Sequence, residues 1–209
     1  MAYKRSILIS ASEDRLEKLI KQRLQHGIDK ETIDNRIWDL FGEKWCIMFT
    51  DLSGFSRGVE KFGIIHFLQT IYESQRLLLP VIEEHDGILL KSEGDSFLVI
   101  FRNVKKAIQA SINMQRLLKE YNIDKPDEEK ILLCIGLGFG DILRIGDIDV
   151  FGQEVNAASK LGEDTAQAWE ILVTESVKAN AEDMSDIEFE TIKNCPSGVK
   201  KAYTLKYVL

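Results

Sequence analysis

Residues 89–101 read LLKSEGDSFLVIF. Two apolar runs flank a polar break, Ser92-Glu93-Gly94-Asp95-Ser96, and glycine beside aspartate is turn chemistry. The stretch therefore reads as a hairpin, with short strands at Ile88–Leu90 and Phe97–Phe101 and the turn Asp86-Gly87 ahead of them. Upstream, residues 64–84 carry apolar side chains at 64, 68, 71, 72, 78 and 82, a helical period, with Pro80 placed to kink the last turn. Downstream, Asn103 is placed to cap a helix with Ala107, Ala110, Met114, Leu117, Leu118 and Tyr121 on one face. A buried-looking strand, Trp45–Thr50, precedes the first helix. Another, Ile131–Ile135, follows the second after a polar loop, and glycines at 136, 138 and 140 come after it. The order is βαββαβ: an α/β (α+β) chain with a ferredoxin-like core and a mostly antiparallel sheet.

The flanks add to this core. A short helix around Val155–Leu161 and strands at Ile171–Thr174 and Ala202–Val208 extend it toward the C-terminus. Residues 1–43 read as a helical extension and residues 44–209 as the main domain. In the extension, Ser12 is the expected cap of a first helix bearing Leu16, Leu19, Ile20 and Leu24; Gly27 breaks it, and a second helix with Ile33, Ile37, Trp38 and Leu40 stops at Gly42. That apolar stripe needs cover from the following domain or from a partner chain.

Composition excludes several classes. The net charge of −7 argues against nucleic-acid and anionic-membrane partners, so an anionic substrate needs a local basic pocket. Cys46, Cys134 and Cys195 form no CxxC pair, which gives neither a zinc site nor a disulfide framework; Cys46 and Cys134 read as buried thiols. His26, His66 and His85 are too scattered for a histidine metal site or a catalytic triad. The opening MAYKRSILIS is too short in apolar residues for a secretory signal, and no stretch approaches the roughly 20 apolar residues of a membrane span, so a cytoplasmic protein is expected.

The chemistry begins with two aspartates. In IMFTDLSGFSRG, residues 47–58, Asp51 closes an apolar strand. Asp95 sits in the hairpin turn. Taken singly, the first is an ordinary cap and the second an ordinary turn residue. In a split βαββαβ unit, however, the first strand neighbours the hairpin, so the carboxylates approach and repel unless a cation lies between them. Hard oxygen donors suit Mg²⁺ or Mn²⁺ with phosphate as a further ligand. The backbone after Asp51 (Leu52, Ser53, Gly54, Phe55) offers N–H groups for a triphosphate.

A third stretch, DIDVFGQEVNAASKLGED at 147–164, resembles the D-x-x-G-x-x-V-N-x-A-S-R signature of class III nucleotidyl cyclases. F-x-D-x-x-G-F-S at 49–56 and K-x-x-G-D at 91–95 resemble the same family, and the likeness runs from about residue 44 to 209. Diguanylate cyclases share a related fold, but EGDSF lacks their Gly-Gly-Asp/Glu-Glu-Phe signature. The resemblance implies an adenylate cyclase that converts ATP to 3′,5′-cyclic AMP and pyrophosphate. It implies two Mg²⁺ or Mn²⁺ ions on Asp51 and Asp95 with the Leu52 carbonyl, Lys91 and Asp149 on the base, Asn156 on the ribose, and Lys160 at the α-phosphate. Lys193, or Lys200 or Lys201 in its place, would meet the terminal phosphates. It also implies a homodimer in which one chain gives the metal aspartates and the other the base, ribose and transition-state groups. Two departures stand out: lysine replaces the family's arginine at 160, and the run between Gly140 and Asp149 is short for the arm that clasps the partner, which implies either a smaller dimer contact or one that uses residues 1–43, helices also open to a regulatory partner. The alternatives are a cyclase for another base (guanylate, or a pyrimidine cyclase of phage defence) and a catalytically quiet nucleotide-binding domain.

Overall fold

A computed structural model describes residues 10–54 and 62–209. Its organising element is β1 (Gly42–Leu52), which pairs antiparallel with β3 (Ser96–Phe101) on one side and with β4 (Leu133–Ile145) on the other. The hairpin partner β2 (Ile88–Glu93) lies outside β3. Beyond β4, the strand β6 (Ile171–Thr174) adds in parallel, followed by β8 (Ala202–Lys206) and β7 (Glu188–Thr191). The sheet runs β2-β3-β1-β4-β6-β8-β7, and β5 (Asp149–Phe151) pairs back on the end of β4. The βαββαβ order and the mostly antiparallel sheet expected from the sequence are both present.

Strand alternation divides the core. Cys46 and Met48 of β1, with Phe97, Val99 and Phe101 of β3, face the long helices α3 (Ile64–Glu84) and α4 (Val104–Tyr121). Trp45 and Ile47, with Leu98 and Ile100, face the opposite side, where α5 (Gln153–Ser159) supplies Val155 and Ala158. Asn103 caps α4 as expected, accepting from the Lys105 and Lys106 amides. Helix α3 continues through Pro80 to Glu84.

Several boundaries differ from the sequence reading. The strand expected at Ile131–Ile135 begins two residues later, at Leu133, and as β4 it runs on to Ile145 straight through Gly136, Gly138 and Gly140. These glycines let α5 lie against the sheet. A Cβ on Gly136 would sit 2.2 Å from the Ala158 carbonyl oxygen, and one on Gly138 would sit 2.4 Å from that of Glu154. The helix expected at Val155–Leu161 begins two residues earlier and gives way to a turn of π-helix over Lys160–Thr165. The last strand stops at Lys206, and β5, β7 and the short α6 (Glu175–Ala179) were not anticipated. Gly136→Ala is expected to cost about 1–3 kcal/mol through overpacking, because backbone rather than a yielding side chain blocks the new methyl. Thermal unfolding checks this: a melting temperature within a degree of the parent would mean α5 is not held at that distance.

The extension folds onto its own chain. α1 (Ala11–Arg23) is capped by Ser10 rather than Ser12: the Ser10 hydroxyl accepts from the Glu13 amide while the Glu13 carboxylate accepts from the Ser10 amide. α2 (Lys30–Phe41) runs back antiparallel, tied by Arg23 to Asp34. Leu19, Ile33, Ile37 and Phe41 bury themselves with Ile145 of β4. Gly42 then passes from helix to strand without a linker; a Cβ there would meet the Trp38 carbonyl oxygen at 2.5 Å. The run between Gly140 and Asp149 forms a compact β4–β5 hairpin turning at Gly146, with Ile148 and Phe151 exposed.

Candidate active site

Asp51 is the penultimate residue of β1, and Asp95 occupies the turn between β2 and β3 after Gly94, whose φ of 60° favours glycine. Because β1 pairs with β3, the two side chains come within hydrogen-bonding reach of each other. Burial first, and then the charge of Asp95, push Asp51 up to about 6. Burial also raises Asp95, against hydrogen bonds that include the Leu52 backbone. The Ser96 hydroxyl donates to Asp51 at 3.3 Å and offsets part of the push. Two half-buried carboxylates held together against their own repulsion fit a divalent cation; the Cys134 thiol opposite Asp51 on β4 is pushed up by burial and by the Asp51 charge. Among the described residues no three His, Cys, Asp or Glu side chains form a metal cage.

The loop behind Asp51 is only partly as expected. Gly54 has φ 88°, which glycine accommodates. The Ser53 amide, however, donates to the Leu132 carbonyl at 2.7 Å, so it continues the sheet instead of standing free for phosphate. Phe55 lies outside the described residues.

A cavity of about 230 Å³ opens beside this pair. Its walls include Phe49, Leu98, Val150 and Val155, and its polar groups are Lys91, Glu93, Ser96, Asp149 and Glu163. Lys91 on β2 and Asp149 on β5 are 58 residues apart in sequence, yet Lys91 Nζ donates to Asp149 Oδ2 at 2.7 Å. Glu93 also approaches Lys91 Nζ, at 3.9 Å. Glu163, in the π-turn, adds a smaller upward push on Asp51. Neither glutamate was singled out from the sequence. Glu93 was legible, since residues two apart on a strand share a face; Glu163 gave no signal, because its position depends on the π-turn.

The remaining residues are placed as follows. Asn156 is exposed on α5. Lys160 follows it by one turn, and its Nζ donates to the Ser197 carbonyl at 2.6 Å, which ties it to the loop between β7 and β8. Lys193 and Lys200 are exposed in that loop, and Lys201 pairs with Glu175 at 2.8 Å. The structure thus brings Asp51 to Asp95 and Lys91 to Asp149, while the side-chain contacts of Lys160 and Lys201 run to Ser197 and Glu175. Glu154, on the inner face of α5, is occupied structurally: it accepts from the Phe139 amide at 3.0 Å and the Thr174 hydroxyl at 2.7 Å, which anchors α5 to the sheet.

The family model for the adenylate and guanylate cyclase catalytic domain matches residues 42–207. The chain belongs to this cyclase family. The cyclase segment thus starts where β1 starts, and the helical extension precedes it. A Rhizobium meliloti (strain 1021) protein bearing the name of an adenylate cyclase is 27% identical over 144 residues, 69% of this chain and 24% of that protein. The chain spans no more than 24% of that curated relative, and less of others it matches. Among solved structures, an adenylate/guanylate cyclase/hydrolase from Silicibacter pomeroyi superposes with a TM-score of 0.67 at 25% identity, over 78% of this chain and 95% of that one. The adenylyl cyclase CyaB from P. aeruginosa gives 0.66 at 20% identity, over 80% and 96%. The chain is a nucleotidyl cyclase domain, and its relatives include both adenylate and guanylate cyclases by name. Among the described residues, no helix of this cyclase domain is long and apolar enough to cross a membrane.

Proposed function

We propose that the domain cyclises ATP to 3′,5′-cyclic AMP and pyrophosphate, at a site shared between two copies of the chain. The observation that carries the choice of base is the Lys91–Asp149 contact of 2.7 Å inside an apolar-walled cavity. Ammonium only donates and carboxylate only accepts. Adenine offers the matching pair, an acceptor at N1 and a donor at the 6-amino group. Phe49, Leu98 and Val150 supply the flat apolar surroundings a purine needs.

Asp51 and Asp95, with the Leu52 carbonyl, would hold divalent ions, which when bound lower the pKa of the ribose 3′-hydroxyl and neutralise the triphosphate. The chain's own groups do the rest. Asn156 hydrogen-bonds and orients the ribose so that its 3′-oxygen lies in line with the bond to the leaving pyrophosphate. Lys160 offsets the charge that develops at the α-phosphate. Lys193, Lys200 or Lys201, from the loop that Lys160 contacts, meets the leaving phosphates. Membership of the cyclase family, together with the exposure of Asn156 on α5, supports a two-fold dimer in which each site draws on both copies.

The deciding measurement is product formation from each of ATP, GTP, CTP and UTP with Mn²⁺. Cyclic AMP as the dominant product is expected. Dominant cyclic GMP, or a cyclic pyrimidine nucleotide, would overturn the choice of base, and no product from any of the four would overturn catalysis itself.

A further inference from the structure

Lys91 does not stand alone with Asp149. Residues 91 and 93 alternate onto one face of β2, and both line the cavity. The Lys91 ammonium is 2.7 Å from Asp149 Oδ2 and 3.9 Å from Glu93 Oε1. The base-facing end of the cavity therefore carries one donor flanked by two acceptors. Both carboxylates come from framework elements, Glu93 from β2 and Asp149 from β5, so the arrangement belongs to the sheet rather than to a loose loop.

We infer that Glu93 is a specificity-determining residue that reads the 2-position of the purine ring. The inference rests on the ATP reading above and extends it. An acceptor–donor–acceptor face complements a base edge that runs donor–acceptor–donor. Adenine meets it in two places: its 6-amino group gives to Asp149 and its N1 takes from Lys91, while its C2–H faces Glu93 without a hydrogen bond. Guanine presents an acceptor, a donor and a donor, so its O6 opposes Asp149 and its N1–H opposes Lys91. Uracil presents acceptor–donor–acceptor and is mismatched throughout. Cytosine matches the first two groups but sets its O2 against the Glu93 carboxylate. Glu93 thus works by exclusion against the pyrimidines, whose O2 falls opposite its carboxylate, while the rejection of guanine, whose 2-amino group Glu93 would accept, rests on Asp149 and Lys91. The edge that satisfies all three groups is 2,6-diaminopurine, in which an amino group at C2 donates to Glu93.

The test is equilibrium binding of ATP, 2,6-diaminopurine riboside triphosphate and GTP to the full chain, measured by calorimetry in Ca²⁺, with turnover followed separately in Mn²⁺. The parent is expected to bind the diaminopurine nucleotide roughly tenfold more tightly than ATP, the gain of one hydrogen bond to a charged acceptor. In Glu93→Leu that ratio is expected to fall to about one, because the new side chain offers no acceptor. The Glu93 side chain is 78% exposed, so the substitution leaves the core untouched. A parent with no preference for the diaminopurine nucleotide, or a preference that survives in Glu93→Leu, overturns the role of Glu93 while leaving the ATP reading intact. Tighter binding of GTP than of ATP by the parent overturns both, as does a chain that binds none of the three.

Discussion

Asp95→Asn is expected to lower cyclase turnover by about 10²–10³-fold or more while the protein stays folded. Asparagine keeps the shape of the side chain in the β2–β3 turn and removes the charge that a divalent ion requires. The same substitution has a second, opposite effect in metal-free protein. Asp51 is raised to about 6 by burial and by the charge of Asp95. An acid raised on folding binds its proton more tightly in the native state than in the unfolded chain. Metal-free stability therefore falls as pH rises from the ordinary aspartate range, near 4, through about 6. Above that range the repulsion is present in full, and Asp95→Asn, by removing the larger of the charges that face Asp51, is expected to raise the melting temperature in chelator. Mn²⁺ should stabilise the parent strongly above pH 6 and the variant weakly. Parent-like turnover by Asp95→Asn, or equal stabilisation of both proteins by Mn²⁺, would remove the metal assignment from this pair.

Lys160→Ala is expected to reduce kcat by about 10²–10³ and to change KM for ATP far less, since the interaction strengthens as charge develops at the α-phosphate. The Lys160 head group already donates to the Ser197 carbonyl at 2.6 Å, so it is aimed by the β7–β8 loop instead of waving in solvent. Lys160→Arg separates a transition-state role from a purely structural tie to that loop. A guanidinium fork holds the loop carbonyl and a phosphate oxygen together, so this variant should retain activity or exceed the parent. Steady-state and single-turnover kinetics of the two variants beside the parent give the split. A fully active Lys160→Ala would place the residue outside the chemistry.

The core was legible because its signals were redundant. Phe97 to Phe101 is a continuous apolar run ending at a capping Asn103, and Asp51 and Asp95 sit where strand runs stop, so pattern and turn chemistry agreed. What escaped depended on contacts far apart in sequence. The second half of β4 was hidden by Gly136, Gly138 and Gly140, which look like a loop until α5 is laid across them. β5 is three residues long, too short for alternation to register. The free Ser53 amide inferred for phosphate is instead taken by Leu132, a partner that only the paired sheet supplies. Ser12 lost the cap to Ser10 because the reciprocal bond from Glu13 reaches back three residues to residue 10, a signature present in the sequence as Ser10-x-x-Glu13.

The passage from α2 into β1 at Gly42 bears on how such a domain could receive a signal. β1 begins at the end of the helical hairpin and finishes beside Asp51, a span of roughly 30 Å or more for an extended strand. Along that whole length it is laced to β4, and over Cys46–Thr50 to β3 as well. A central strand bonded on both edges cannot slide or tilt without breaking ladder bonds on each side, so it is a poor pushrod. The hairpin is a brace for the cyclase sheet, and it stands against the β4–β5 arm with Ile148 and Phe151 turned outward. On the two-fold reading proposed above, an input arriving at α1 and α2 would act on the angle at which the two half-sites meet, and would leave the inside of each half-site as it was.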